Sequence, residues 1–246
     1  MNDFRRGFFN GIPIGLGYLS VSVTFGIMAV NSGFDIWQAV LISMTNVTSA
    51  GQFAGITVMT TAGSFVEMAL TQFVINLRYA LMSISLSQKV DQSFSFPKRL
   101  FFGAFHTDEI FAVSISQKGK IGTKYFLGLI IAPYIGWSLG TFLGALLGAI
   151  LPAFLSNALS VALYGMFIAI VVPEMKNSGK MTIVVLFAIA LKIAMTYTPF
   201  LKDISEGFAI IICALTASVL GALIFPVSYP EEGANKAAAA AGKEGT

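Results

Sequence analysis

Charge is what this chain has least of. Lysine, arginine, aspartate and glutamate make up 11% of its 246 residues, against 56% hydrophobic, and the mean hydropathy is +0.79. A water-soluble domain carries about a quarter charged residues, and no fold in water can hide so many consecutive apolar positions. Cysteine is almost missing: Cys213 stands alone inside an apolar stretch, which excludes a disulfide framework and leaves small apolar packing as its role. There is one histidine, His106. No His-Glu-x-x-His, Gly-x-Ser-x-Gly, phosphate-binding loop or cysteine cluster occurs. The chain therefore does not read as an enzyme, and no metal or cofactor is expected. The apolar stretch behind Arg5 and Arg6 is too long for a secretory signal and is broken by Pro13 and several glycines, so it reads as a retained helix. The net charge of +3 does not point to nucleic acid, because the basic residues sit between apolar stretches.

What is present are uncharged stretches longer than the ~20 residues a bilayer-spanning helix needs: Gly7 to Phe34, Ile36 to Val66, Tyr125 to Pro173 and Gly207 to Pro230. They predict an all-α, polytopic membrane helical bundle of roughly seven or eight transmembrane helices in a lipid bilayer, some broken, with a possible inverted repeat. The expected spans are Phe8–Val30, Ile36–Thr61, Phe65–Gln88, Arg99–Gln117, Tyr125–Leu151, Leu155–Val172, Met181–Thr198 and Ile204–Pro226, with Leu151-Pro152 breaking the longest stretch. Asp108 and Glu109 interrupt the fourth, which has a re-entrant segment as its alternative. Residues 1–229 are expected to form one integral membrane transporter domain, followed by a disordered tail over 230–246. With eight spans, Arg5, Arg6, Lys118, Lys120, Lys124, Lys176, Lys180 and the tail lysines fall inside and Lys89, Lys98, Arg99 and Lys202 outside, which favours both termini in the cytoplasm. Pro13 and Pro133 are expected to break the first and fifth spans at matching positions, as in inverted-repeat transporters. Gly136, Gly140, Gly144 and Gly148 form a smooth stripe suited to close helix packing. Glu67 and Asp35 fall at span edges and read as interfacial.

Three polar clusters lie at membrane depth, where an Arg or Asp costs about 2.5–3.5 kcal/mol and usually faces protein or water. The first is Asn46-Val47-Thr48-Ser49-Ala50-Gly51-Gln52-Phe53. Its small residues either unwind the helix or form a polar packing patch between continuous helices. A half-helix beginning near Gln52 would offer bare N–H groups to a carboxylate, with Asn46 and Gln52 adding orienting hydrogen bonds. The second is Asn76-Leu77-Arg78-Tyr79. Gln72, Asn76, Tyr79 and Ser83 share one helical face and Thr71, Arg78 and Ser85 another, so this helix is expected to be surrounded by protein. Arg78 is too deep to snorkel; it can clamp a carboxylate or pair with an acid. The third is His106-Thr107-Asp108-Glu109. Neighbouring helical positions point about 100° apart. One acid should therefore pair with Arg78 while the other lines a cavity, binding an ammonium group or carrying a proton. Were this segment a solvated loop, both acids would be ordinary surface residues. His106 reads either as a proton relay or as a helix-end residue.

In this order and spacing the clusters resemble the AzlC-like family, the large subunit of branched-chain amino-acid exporters. Ala50-Gly51-Gln52-Phe53 matches a small-residue run ending in Gln-Phe. Asn76-Leu77-Arg78 matches an Asn-Leu-Arg-His motif, with Tyr79 in place of the histidine, and Thr107-Asp108-Glu109-Ile110-Phe111 matches Thr-Asp-Glu-x-Phe. The resemblance implies export of hydrophobic amino acids (valine, leucine, isoleucine, methionine) across the cell inner membrane, with a small AzlD-like membrane subunit as partner. Proton influx is the expected driving force. Asn46, Ala50, Gly51, Gln52, Asn76, Arg78 and Tyr79 then become expected substrate-binding residues, and Thr107, Asp108 and Glu109 serve the amine or the proton. A mechanism needing an imidazole at Tyr79 is not open, since a phenol does not protonate near neutral pH. The competing reading is a non-transporting membrane scaffold or a channel subunit.

Overall fold

The computed structural model describes residues 2–150, 165, 168, 171–201 and 203–226. The sixth expected span, the Leu151-Pro152 break, Lys202 and the tail fall wholly or almost wholly outside them. Helices run over Asp3–Asn31 (α1), Ile36–Thr45 (α2), Ala50–Thr60 (α3), Phe65–Ser87 (α4), Phe96–Gly103 (α5), Asp108–Ser116 (α6), Thr123–Ile150 (α7), Gly179–Tyr197 (α8) and Glu206–Ile224 (α9). Among the described residues the only extended pairing is an isolated bridge between Val90 and Ile121. Helices α1, α4, α7, α8 and α9 are long and apolar enough to cross a membrane, so the all-α polytopic bundle stands. The described residues form two compact units, one reaching to Val171 and including Ile204–Ile211, the other holding Val172–Asp203 and the residues from Ile212 on.

The first unit is built on α1 and α7, which lie parallel and touch along their whole length. Gly7 meets Tyr125, Gly11 meets Leu129, Gly15 meets Ala132, and Gly26 meets Thr141. A Cβ on Gly15 would stand 2.6 Å from the Ala132 carbonyl oxygen, and one on Gly136 or Gly144 would strike the backbone of Gly15 or Val23. Hydrocarbon gives two apolar helices no reason to associate, so close backbone packing through small residues has to supply it. The prolines do not break these helices: α1 runs through Pro13 and α7 through Pro133. A membrane helix tolerates the lost ladder bond where a neighbouring helix holds it, and Gly11 packs directly against the Pro133 ring.

The breaks fall in the second and fourth expected spans, and they change the topology. α2 and α3 hold 10 and 11 residues, α5 and α6 hold 8 and 9. At about 1.5 Å per residue each reaches roughly half of a ~30 Å hydrocarbon core. Ala39 of α2 and Phe53 and Ile56 of α3 sit in one cluster with Phe25, Ala29 and Ala145, at the C-terminal end of the α1–α7 pair. The turn between them reaches the middle of α7, where the Tyr134 hydroxyl donates to the Met44 carbonyl at 3.1 Å. At the other end, Phe102 of α5 and Ile110 of α6 share a cluster with Phe126 and Leu129. Both pairs are re-entrant hairpins, entering from opposite ends and turning back near the middle.

This corrects the expected charge distribution. The Val90–Ile121 bridge and the Arg6 guanidinium over the Tyr125 ring (5.0 Å) bring the end of α4, the foot of the α5–α6 hairpin and the starts of α1 and α7 to one end. Lys89, Lys98 and Arg99 therefore join Arg5, Arg6, Lys118, Lys120 and Lys124 there, while the connections 32–35 and 61–64 at the opposite end carry no basic residue. Glu67 stands at a span edge, in the first turn of α4. It is buried, and its Oε1 accepts from the Ser205 hydroxyl (2.5 Å) and the Gly207 N–H (2.9 Å), tying α4 to the start of α9. α4 is surrounded by protein on one side only, since Phe73, Leu77, Leu81 and Ile84 are exposed. In the second unit Gly221 packs against Val184, and the Cys213 thiol lies 3.7 Å from the Met195 sulfur, an apolar packing role.

Candidate functional site

The tips of the two hairpins face each other across one cavity. Ser49 turns the first tip with φ +50°, ψ −89°, a left-handed conformation that costs a non-glycine residue about 1–3 kcal/mol. Such strain persists where a site needs the backbone placed. α3 then starts at Ala50, two residues before the expected Gln52, with Thr48 Oγ1 accepting from the Gly51 N–H at 3.1 Å. At the second tip Thr107 caps α6 through the Ile110 N–H, and Asp108 and Glu109 fill the first turn, where negative charge suits the helix dipole.

Between the tips stands α4. The Arg78 guanidinium meets the Asp108 carboxylate at 2.5 Å, donates to the Tyr79 hydroxyl at 3.1 Å, and lies 4.8 Å from the centre of the Tyr79 ring. The second acid has another partner. The Tyr18 hydroxyl on α1 hydrogen-bonds the Glu109 carboxylate and lies 2.6 Å from Thr107 Oγ1, and its ring packs edge-on against Trp137 of α7 at 5.4 Å. The cavity has a volume of about 720 Å³. Its charged side holds one guanidinium and two carboxylates; Ile14, Val21, Val47 and Trp137 make an apolar wall. Such a cavity suits a small molecule with an ammonium group, a carboxylate and an aliphatic part.

Ala50, Arg78, Tyr79, Thr107, Asp108 and Glu109 thus line one cavity. Four other expected residues lie behind the cavity wall. Gln52 is buried and donates to Ser43 Oγ at 2.9 Å, which lies 2.7 Å from Thr141 Oγ1, so it fastens the tip to α7. Gly51 gives its carbonyl to the Gln72 amide at 2.7 Å, Asn76 donates to Gln72 Oε1 at 3.4 Å, and Asn46 closes α2. Gln52 and Asn76 thus place an amide donor on a protein partner, Ser43 and Gln72, and not on the cavity. Tyr18 and Trp137 were missed. Tyr18 lies four positions after Ile14 and three before Val21, so one face of α1 carries all three to the cavity. Trp137 is buried, 2% exposed.

The profile of the AzlC protein family matches residues 13–151, which hold the whole cavity. The chain belongs to the AzlC family. Over 138 residues it is 34% identical to an uncharacterized membrane protein of Archaeoglobus fulgidus, an alignment taking in 56% of this chain and 59% of that one. It is 28% identical over 143 residues to the inner membrane protein YgaZ of Escherichia coli K12 (56% and 58%), and 27% identical over 149 residues to a membrane protein of Helicobacter pylori J99 (57% and 64%). The matched stretch spans about three-fifths of each relative's length. No solved structure matches the chain. Like its AzlC relatives, this is a membrane protein of a transport-related family.

Proposed function

We propose that the chain exports branched-chain and other hydrophobic amino acids (valine, leucine, isoleucine, methionine) across the inner membrane by alternating access, coupled to proton influx, with a small AzlD-like membrane subunit. The observation that carries this reading is the Arg78–Asp108 pair, held at a cavity that also offers a second acid and an apolar wall. Arg78 takes the substrate carboxylate, which a planar fork of donors suits, and Asp108 answers the ammonium group. The substrate replaces an internal ion pair by two intermolecular ones, so neither partner is left bare. The aliphatic part lies on Ile14, Val47 and Trp137, which accept several branched side chains without distinguishing them sharply, because one methylene is worth only about 1–3 kcal/mol in an apolar pocket. Glu109 is the residue left to carry the proton. The end with eight basic residues faces the cytoplasm, with both chain termini, since loops rich in lysine and arginine stay on that side.

Counterflow of labelled leucine in proteoliposomes holding the chain, with and without the small subunit, is the test. Saturable counterflow lost in Arg78→Ala and in Asp108→Asn is expected. Transport unchanged when both substitutions are combined would refute the assignment, and conductance persisting without a substrate gradient would indicate a channel.

A further inference from the structure

A second cavity, of about 200 Å³, adjoins the first on the side of the basic end. Neighbouring residues line the two. Thr107 lines the charged cavity and the preceding His106 lines the second, as expected of consecutive side chains in the extended turn between α5 and α6. On α4, Tyr79 lines the charged cavity and Ser83, one turn further, lines the second. The Tyr79 and His106 rings stand 6.4 Å apart, and His106 Nδ1 lies 3.2 Å from Ser83 Oγ. Beyond them the wall is Leu86, Val90, Phe94, Phe102 and Phe126, with Arg99 at the basic end. An apolar chamber of this size with one guanidinium at its outer edge matches an amino acid with a branched aliphatic side chain.

Resting on the transport reading above, we propose that this cavity is the cytoplasmic vestibule of the path, which takes the same hydrophobic amino acid before it reaches the charged cavity, and that Tyr79 and His106 are the gate between them. The substrate's carboxylate is held toward Arg99 and its side chain among the phenylalanines. The gate moves at little cost. His106 is buried, yet Ser83 is the one polar partner of its ring among the described residues, the rest being stacking on Phe111 at 5.7 Å. Residues 104–107 stand outside both helices of the hairpin, so a shift there breaks no helical ladder.

The test uses the full chain with Cys213, its one cysteine, replaced by serine, and a new thiol at Ser83→Cys. Leucine binding and counterflow of the unlabelled Ser83→Cys chain are the reference values. A bulky maleimide attached at this position should cut counterflow about tenfold or more while leaving leucine binding in place. Leucine, and not glutamate, should slow the labelling. The same label at Leu81→Cys, on the exposed face of α4, should leave counterflow alone. Full counterflow after labelling overturns the vestibule, as does loss of leucine binding together with counterflow, because Ser83 would then belong to the binding site. A wild-type chain that binds no leucine sinks the transport reading and the vestibule with it.

Discussion

The α1–α7 seam and the two re-entrant hairpins are made of the same kinds of residues and do opposite things with them. Along the seam, glycines bring two unbroken helices into backbone contact, and even Pro13 and Pro133 do not interrupt them. In the hairpins, small and polar residues end the helices at mid-depth, and the freed backbone groups find side chains such as Thr48 and Thr107. A glycine stripe in a membrane is thus a packing device when its partner helix is present, and a break when the residues around it can cap a helix end. The seam gives a frame that does not move; the hairpin tips place charge where it can.

The largest effect should come from damaging the frame. Gly144→Val drives a side chain into the Val23 backbone, which no rotamer relieves, and should cost about 3 kcal/mol or more. Folded yield and thermal stability in detergent measure it, and a near-normal melting profile would mean that the seam is looser than its geometry. Next comes the site. Arg78→Lys keeps a positive charge for Asp108 but loses the planar fork and the stacking on Tyr79. Leucine counterflow should fall about tenfold, roughly 1.4 kcal/mol, while stability stays close to wild type. Equal loss of both would erase the distinction between frame and site.

Much of this could be read from the amino acids. The membrane class followed from scarcity of charge, the seam from Gly136, Gly140, Gly144 and Gly148, and the meeting of Arg78 with one acid from the cost of burying either alone. The re-entrant path was readable for the fourth expected span alone, where Asp108 and Glu109 interrupt the apolar run, and not for the second. Ile36–Thr61 is apolar enough for a span, and nothing local distinguishes a chain that continues across from one that turns back at residues 46–49. That choice is made by tertiary contacts, Phe53 against Phe25 above all, whose rings lie 5.4 Å apart. The same limit explains Gln52. Its depth was legible, but its direction, toward Ser43 and away from the cavity, depends on α7 standing beside it.

Gln52→Leu sharpens the contrast between wall and cavity. It removes the donor to Ser43 without touching the lining, so it should lower stability by about 1–2 kcal/mol and leave the apparent affinity for leucine within about twofold. A large loss of affinity at unchanged stability would return Gln52 to the binding site. Ser49→Gly acts in the other direction. Relief of the left-handed strain should raise stability by about 1 kcal/mol, with slower transport if the first tip needs its stiffness.

The smallest effect lies at the foot of the second hairpin. Asp91, in the connection between α4 and α5, accepts from the Ser93 side chain and from the Ser93 N–H at 2.8 Å, and these bonds hold its carboxyl below the usual carboxylate range. It also stands close against Gly122, at the start of α7. A carboxyl whose value is lowered by folding stabilises fully above the ordinary range and loses that contribution as pH falls through the lowered value. The difference in melting temperature between wild type and Asp91→Ala should therefore be constant near neutral pH and shrink on strong acidification. The group is partly open to solvent, which keeps the difference small. A difference that grew in acid would mean that the hairpin's foot is held by something other than this carboxylate. A difference that vanishes on schedule leaves the hairpin fastened to the frame at its foot, with its tip the part that moves.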